Sequence, residues 1–334
     1  MSKKITIAVD AMGGDNSPSK IINGIVLHSK KSKNVFYKIF GDISKIEKII
    51  PKTLSSDFYE IVHTTNEVKG TDSPLSGAKK GKDTSMWLAV ESVKRKESDI
   101  IISAGNTGAL FVIAKLNLKM IENIDKPALS GLWPNKHGTS IVLDLGANLE
   151  CNEKNLADFC LMGSALFKSI FPDQNPNVAL LNIGSEEIKG TEIIKNTYKN
   201  LSNQKNKLYD FKGHIEGNEM MNGDVNVIVT DGFSGNIALK TAEGTANFIT
   251  KNLKNSLSKL SLLFSYNSLK KFRDKLDPRK YNGAIFLGLQ GPVVKSHGSI
   301  DSIGFAHSIN VCNKIVKAKL IEKIESNLIT VDPK

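Results

Sequence analysis

Between Asp224 and Gly244 the chain reads DVNVIVTDGFSGNIALKTAEG, an order of side chains that narrows the fold more than any other stretch. Val225, Val227 and Val229, interleaved with Asn226 and Ile228, favour extended backbone and suit a strand buried on both faces. The polar TDGFSGN that follows predicts tight turns at Gly232 and Gly235. Beyond it Ile237, Leu239, Ala242, Thr245 and Ala246 recur at helical spacing. Strand, glycine turn and helix form the repeating unit of an open α/β sheet, which places its chemistry beyond the carboxyl ends of the strands. Two readings of the turn stand side by side: an anion site built from helix-start amides, or a βα turn capped by Asp231 or Ser234.

The same device recurs along the chain. A strand over 5–9 leads into Asp10, Gly13, Gly14 and Asp15 and then a helix over Ser19–Ser29, with Pro18 suited to its start. Asp10 and Asp15 are of the right type to hold a cation, position a lysine or cap that helix. Strands are predicted at 37–40 and Tyr59–His63, with a short helix over 43–50. Residues 69–85, KGTDSPLSGAKKGKDTS, read as an exposed connection, whose Lys79, Lys80 and Lys82 either meet a phosphate or face solvent. A helix from Ser85 and a strand over 99–103 precede SAGNTGAL. There Gly105, Asn106, Thr107 and Gly108 gather backbone donors, an amide and a hydroxyl suited to a carbonyl or phosphate oxygen. Neither G-x-x-x-x-G-K-[ST] nor G-x-G-x-x-G occurs at these turns, which argues against an ATP P-loop and a dinucleotide fingerprint.

Further on, helices are expected at 109–121, 156–171, 192–201 and 302–316, and strands at 141–145, 178–183, 284–287 and 292–295. The strand at 141–145 opens into GANLEC, bringing Asp144, Asn148 and Cys151 toward a crevice; Cys151 is read as an inert small core or wall residue rather than a nucleophile. Glu186, Glu187 and Lys189 suit either anion contacts or an exposed helix start. Lys295, Ser296 and His297 place a cation, a hydroxyl and a titratable ring in succession, of which only some can face one site because strand neighbours alternate.

Charge and targeting signals limit the partners. Lys and Arg number 45 against 34 Asp and Glu, a formal +11 that would steer acidic ligands, an acidic protein or an anionic membrane toward the chain. No zinc-finger or RNP pattern accompanies that charge, and nucleic acid is not an expected partner. Cys151, Cys160 and Cys312 have no disulfide framework or C-x-x-C spacing, which fits a reducing cytoplasm. The start MSKKITIAVD lacks the apolar core of a secretion signal, and no run approaches a membrane span. Over 248–276, Phe248, Ile249, Leu253, Leu257, Leu260 and Phe264 recur three or four apart, and nine Lys or Arg stand against two Asp between 251 and 280. With Leu262, Leu263 and Tyr266 near its turn, this segment is read as a helical hairpin. Its apolar stripe either packs within the hairpin or a dimer or rests on an anionic bilayer.

Five strings carry a resemblance: AVDAMGGDNSP at 8–18, SAGNTGAL at 103–110, LDLGANLEC at 143–151, VTDGFSGNIALKTAEG at 229–244 and YNGAIFLGLQGPVVKSHGS at 281–299. In this order, through nearly the whole chain, they resemble the bacterial phosphate acyltransferase (PlsX) family. The resemblance implies transfer of a long-chain fatty acyl group from acyl carrier protein to inorganic phosphate, giving acyl phosphate for phospholipid synthesis. It also implies a single catalytic unit of two lobes and a homodimer. The fold would be a three-layer α/β/α one with a mostly parallel sheet, like isopropylmalate dehydrogenase and phosphate acetyltransferase. The expected location is cytoplasmic, with peripheral association at the inner face of the membrane through 248–276.

Phosphate is itself a nucleophile, so the residues need only hold it near a thioester and stabilise the developing oxyanion. Asn106, Asp231, Asn236, Lys295 and His297 are assigned to the chemistry. Gly13, Gly14, Asp15, Gly105, Thr107, Gly108, Asn148, Gly232, Ser234, Gly235 and Lys240 are assigned to substrate binding, with Asp231 orienting Lys295 or His297. Neither metal nor cofactor is expected. The competing readings are a short-chain acyltransferase using coenzyme A and a lysine-rich binding module without catalysis. A decarboxylating dehydrogenase would need a carboxylate metal cluster that the sequence does not clearly furnish.

Overall fold

The computed structural model describes residues 4–203, 208–256 and 277–331. These build an eleven-stranded sheet in the order β3-β2-β1-β4-β11-β10-β5-β6-β9-β7-β8. Strands β1 (Ile5–Asp10), β2 (Val35–Gly41), β3 (Tyr59–His63), β4 (Ile100–Ser103) and β11 (Val293–Lys295) pair in parallel. A second parallel group contains β6 (Gly138–Leu143), β7 (Asn177–Asn182), β8 (Asp210–Glu216) and β9 (Val227–Val229). Between the groups lie β10 (Ala284–Leu287) and β5 (Ala128–Asn135), each antiparallel to its neighbours. Three successive reversals from β11 to β6 therefore make the two parallel groups run in opposite directions.

Alternate side chains along each strand go to opposite faces, and here they enter two separate cores. Ile7, Val9, Ile100, Ile102, Val227 and Val229 join one, while Ala8, Ile101 and Ile228 join the other. The first core is covered by α1 (Ser19–Ser29) and α6 (Glu153–Ile170), and by α9 (Ser302–Lys317) and α10 (Leu320–Val331) near the end of the chain. The second is covered by α4 (Ser85–Lys94) and α5 (Thr107–Asn117), with α8 (Gly232–Ser256) packing Ala238, Leu239 and Ala242 against it. This is a three-layer α/β/α arrangement. Full burial of each large apolar side chain contributes roughly 1.5–3 kcal/mol, so the β-branched strands hold both helix layers.

Several elements depart from the expectations. The connection at 69–85 contains a helix, α3 (Pro74–Lys79), because Ser73 accepts a hydrogen bond from Ser76 N and Pro74 fits the first turn. Helix α5 begins at Thr107, two residues earlier than the apolar pattern suggested, because the Asn106 side chain caps it by accepting from Ala109 N. It stops at Asn117, after which Met120 bridges to Leu289. Helix α8 begins at Gly232, so the predicted glycine turn is the helix's own first turn. Strand β5 and helix α10 were not anticipated. Two further helices are α2 (Ile43–Ile46) and α7 (Glu192–Ser202). The hairpin turn expected near Leu262, Leu263, Phe264 and Tyr266, with Leu257 and Leu260 before it, lies outside the described residues. Among the described residues no helix is long and apolar enough to cross a membrane.

Candidate active site

Three loops leave the carboxyl ends of the adjacent parallel strands β1, β4 and β11 and meet. Register aligns Asp10 with Ser103 and Ser103 with Lys295, so the last residues of the three strands stand in a row. Backbone bonds lock the loops together, from Asp15 N to Gly298 O at 3.0 Å and from Ser296 N to Ser103 O at 2.9 Å. Gly14 adopts φ +86°, a conformation that favours glycine, and a Cβ there would lie 2.6 Å from the Ala104 carbonyl oxygen. Beside this junction opens a cleft of about 680 Å³.

The cleft is cationic at this end. Lys295 and Lys20 are each 7 % exposed. Their ammonium groups donate to backbone carbonyls, Lys295 to Ser296 O and Lys20 to Gly298 O. Among the described residues neither lies within ion-pair distance of a carboxylate. Burial pulls Lys295 down to about 8 and the nearby Lys20 adds to the effect, while Asp10 opposes it. Lys20 is lowered by burial against the pull of Asp15. His297 is lowered by burial and then by Lys295. Buried ammonium groups that donate to carbonyls and are not ion-paired favour an incoming anion. Thr107 and Gly108 open α5 at the same cleft, ahead of its first turn of hydrogen bonds, with the positive end of the helix toward the space.

The lining also carries an apolar set, Phe111, Leu129, Leu132, Trp133, Leu145 and Phe286. Part of the wall is a loop built around Asp144, which is fully buried. One carboxylate oxygen accepts from Leu129 N, Gly146 N and Ala147 N, and the other from Asn148 N and Nδ2. Burial raises this carboxyl, yet all five partners are donors, an arrangement only the carboxylate satisfies in full.

The residues singled out from the sequence divide sharply in position. Gly14, Asp15, Gly105, Asn106, Thr107, Gly108, Asn236, Lys240, Lys295 and His297 line the cleft. Gly13 lies just behind it, where a Cβ would come within 2.6 Å of both Asp10 Oδ2 and Gly105 N. Asn148, Asp231, Gly232, Ser234 and Gly235 are not on its lining. Asn148 donates its amide to Pro127 O and Asp144. Asp231 accepts from Ser234 N at 2.8 Å and Ser234 Oγ at 2.9 Å, so its carboxylate caps α8 and does not orient Lys295 or His297. Gly232 N donates to Asn148 O and Gly235 N to Asp231 O. The first turn of α8 is thus closed against the Asp144–Asn148 loop, and its glycines serve close approach rather than anion binding.

Even residues on the lining have structural duties. Asn106 donates its amide to Gly70 O and Asp72 O, pinning the 69–73 segment beside α5. Asn236 donates to Leu145 O at 3.1 Å. Lys240 is exposed and pairs with Glu243 at 2.7 Å. His297 Nδ1 meets Ser299 Oγ at 3.0 Å. Lys80 pairs with Asp72, and Lys79 and Lys82 face solvent outside the cleft. Cys151 is buried, which pushes its thiol up to about 11. Lys20 and Asn282 were missed. Lys20 shares an i, i+4 row with Gly24 and His28, all three buried, and a core-facing row that includes a lysine was a readable signal. Asn282 accepts from His297 N and donates to Ser296 Oγ, holding the β11 loop.

Residues 5–323 match the family described as "Fatty acid synthesis protein". The chain is 66 % identical over 333 residues to the phosphate acyltransferase of Pelagibacter ubique, covering 98 % of this chain and 100 % of the relative. The chain belongs to the phosphate acyltransferase (PlsX) family. A second family member, the phosphate acyltransferase of Rhodospirillum rubrum, is 40 % identical, with 99 % of this chain and 96 % of the relative covered. Its architecture extends beyond the family. A phosphotransacetylase from Streptococcus pyogenes superposes with a TM-score of 0.63 at 16 % identity, covering 96 % of this chain and 95 % of the other. A phosphotransacetylase from Staphylococcus aureus gives 0.61 at 14 %, covering 94 % of each. At such identities the likeness is one of fold. The phosphate acyltransferase family chain thus carries a phosphate acetyltransferase-like scaffold, as its sequence strings implied.

Proposed function

We propose that this acyltransferase moves a long-chain fatty acyl group from the thioester of acyl carrier protein to inorganic phosphate, releasing acyl phosphate for phospholipid synthesis. The observation that carries the reading is the buried Lys295 on the lining of a cleft that also carries a run of apolar side chains, with the buried Lys20 beside it on Gly298 O; among the described residues neither lysine is ion-paired. Phosphate sits at the cationic end. One of its oxygens attacks the thioester carbon, the new C–O bond forms, and the carbonyl oxygen gains negative charge opposite the Thr107 and Gly108 amides. Collapse then breaks the C–S bond and leaves the electron pair on sulfur. Lys295, at about 8, is matched to an alkyl thiol of pKa roughly 8.5 and can protonate the departing thiolate. The fatty chain lies along Phe111, Leu132, Trp133 and Phe286.

The formal charge of +11 supports an acidic carrier protein as donor, because it accelerates encounter. The exposed Phe233, Ile237, Phe248 and Ile249 on α8 support a homodimer contact or peripheral attachment to an anionic membrane surface at the inner face of the cytoplasmic membrane. Purified protein mixed with long-chain acyl carrier protein and phosphate should form acyl phosphate, measured directly. No phosphate-dependent turnover would sink the reading, and turnover with acetyl coenzyme A alone would replace it with a short-chain acyltransferase.

A further inference from the structure

Asp10 is 1 % exposed at the carboxyl end of β1 and is not on the cleft lining. Its Oδ2 accepts from Ser103 Oγ at 2.6 Å, and its Oδ1 accepts from Ser85 Oγ at 2.7 Å and Met12 N at 3.3 Å. Ser103 Oγ in turn accepts from Gly105 N at 3.0 Å. The carboxylate therefore ties together the end of β4, the turn that starts the cleft and the first residue of α4. Gly13 passes so close that a Cβ there would lie 2.6 Å from Asp10 Oδ2. The aligned row Asp10, Ser103, Lys295 also sets this anion across two strands from the cleft's ammonium.

We propose that Asp10 is a positioning residue for phosphate, holding the Ser103–Gly105 turn in place and supplying a buried negative charge that offsets Lys295 two strands away. The proposal rests on the reaction proposed above. Because Ser103 Oγ already accepts from Gly105 N, its own proton needs an acceptor, and Asp10 is the one present. An asparagine could turn an NH₂ toward that oxygen, setting two donors against one hydroxyl and releasing the turn. Loss of the negative charge would take from Lys295 the anion that opposes its burial and its neighbour Lys20. The charged groups around Asp10 are Glu67, from the β3–α3 connection, and Lys295, with Lys20, Asp15 and His297 next to them. Burial raises Asp10 itself against its three donors.

The test is Asp10→Asn in the full-length protein, with acyl phosphate formation followed against phosphate concentration and pH. The expected result is a KM for phosphate raised about tenfold, and an alkaline limb of kcat/KM shifted down by about one pH unit as Lys295 loses its supporting anion. Unchanged KM and limb overturn the proposal. So does a uniform fall in kcat with both in place, since that marks a purely structural role. If circular dichroism shows that Asp10→Asn does not fold, Ser103→Ala carries the test. That variant keeps the Asp10 charge, so phosphate KM should rise several-fold with the limb unmoved, and a parental KM overturns the proposal. Parent protein run alongside separates the two ideas: absence of its turnover counts against the reaction. Phosphate binding followed by ³¹P line broadening then compares the variants, with equal binding overturning the role of Asp10.

Discussion

Gly235 of α8 rests directly on Asp144, so closely that a Cβ added to the glycine would collide with the Asp144 carbonyl oxygen. The obstacle is backbone and cannot swing aside as a side-chain tip would. Gly235→Ala should therefore force α8 and the 144–148 wall apart, costing about 1–3 kcal/mol as overpacking does. Urea denaturation measures that loss, and a midpoint equal to the parent's would mean the helix can slide.

Lys295→Met separates function from stability. Removing one electrostatic donor from a reacting centre costs about 10²–10³ in kcat, which is the expected loss of acyl phosphate formation. Folding should not suffer. A lysine held at about 8, below its ordinary value, costs stability in full below pH 8, and that cost disappears as pH rises through the ordinary lysine range. The urea midpoint at pH 7 should thus be equal to the parent's or higher. A clear fall would show that the ammonium stabilises the fold. In the parent, kcat/KM should decline above about pH 8.

Asn236 is exposed, lines the cleft and holds the Leu145 carbonyl. Asn236→Ala removes one net hydrogen bond worth about 1 kcal/mol, so the melting temperature should barely move. Its kcat/KM should fall about tenfold if the acyl thioester occupies the cleft as proposed, because Asn236 steadies part of the lining. Retention of the parental rate would remove it from the site.

His28 makes the fold sensitive to mild acid. The ring is buried, Nδ1 lies 2.7 Å from Tyr37 Oη, and Nε2 has no hydrogen-bond partner among the described residues. Burial, then Lys31 and Lys317, lowers its pKa to about 4. The unfolded chain therefore binds the proton more readily, and stability present above pH 6.5 is lost as pH falls toward 4, by roughly 3 kcal/mol in all. Urea midpoints between pH 7 and pH 4.5 should track this decline, and His28→Leu should flatten it. An unflattened slope would assign the loss to other groups.

The strands and helices with clear local signals were legible from the sequence. Ser19–Ser29 and Tyr59–His63 were placed to the residue, because helical spacing and β-branched runs are properties of neighbours in the chain. Strand β5 was not, since Pro127, Gly131 and Pro134 punctuate it locally and only pairing with β6 and β10 extends it. At the site, Lys295 and His297 stood out by type. Asp231 and Ser234 stood out equally, yet they bond to each other. A sequence displays polar groups without the partners that consume them. Lys20 carried a local signal in its core-facing row, but the carbonyl that takes its ammonium, Gly298 O, lies far along the chain and could not be read there.

Strand β11 lies between β4 and β10, although the chain segments that form β5 to β9 come between β4 and β11 in sequence. During synthesis from the amino terminus, β1 to β4 can pair early, but the edge of β4 stays uncovered until residue 295 has left the ribosome. Lys295, His297 and Gly298 arrive with that last insertion. A nascent or truncated chain can thus hold much of its sheet while lacking the cationic end of the cleft, which makes chemical competence itself a checkpoint on complete assembly.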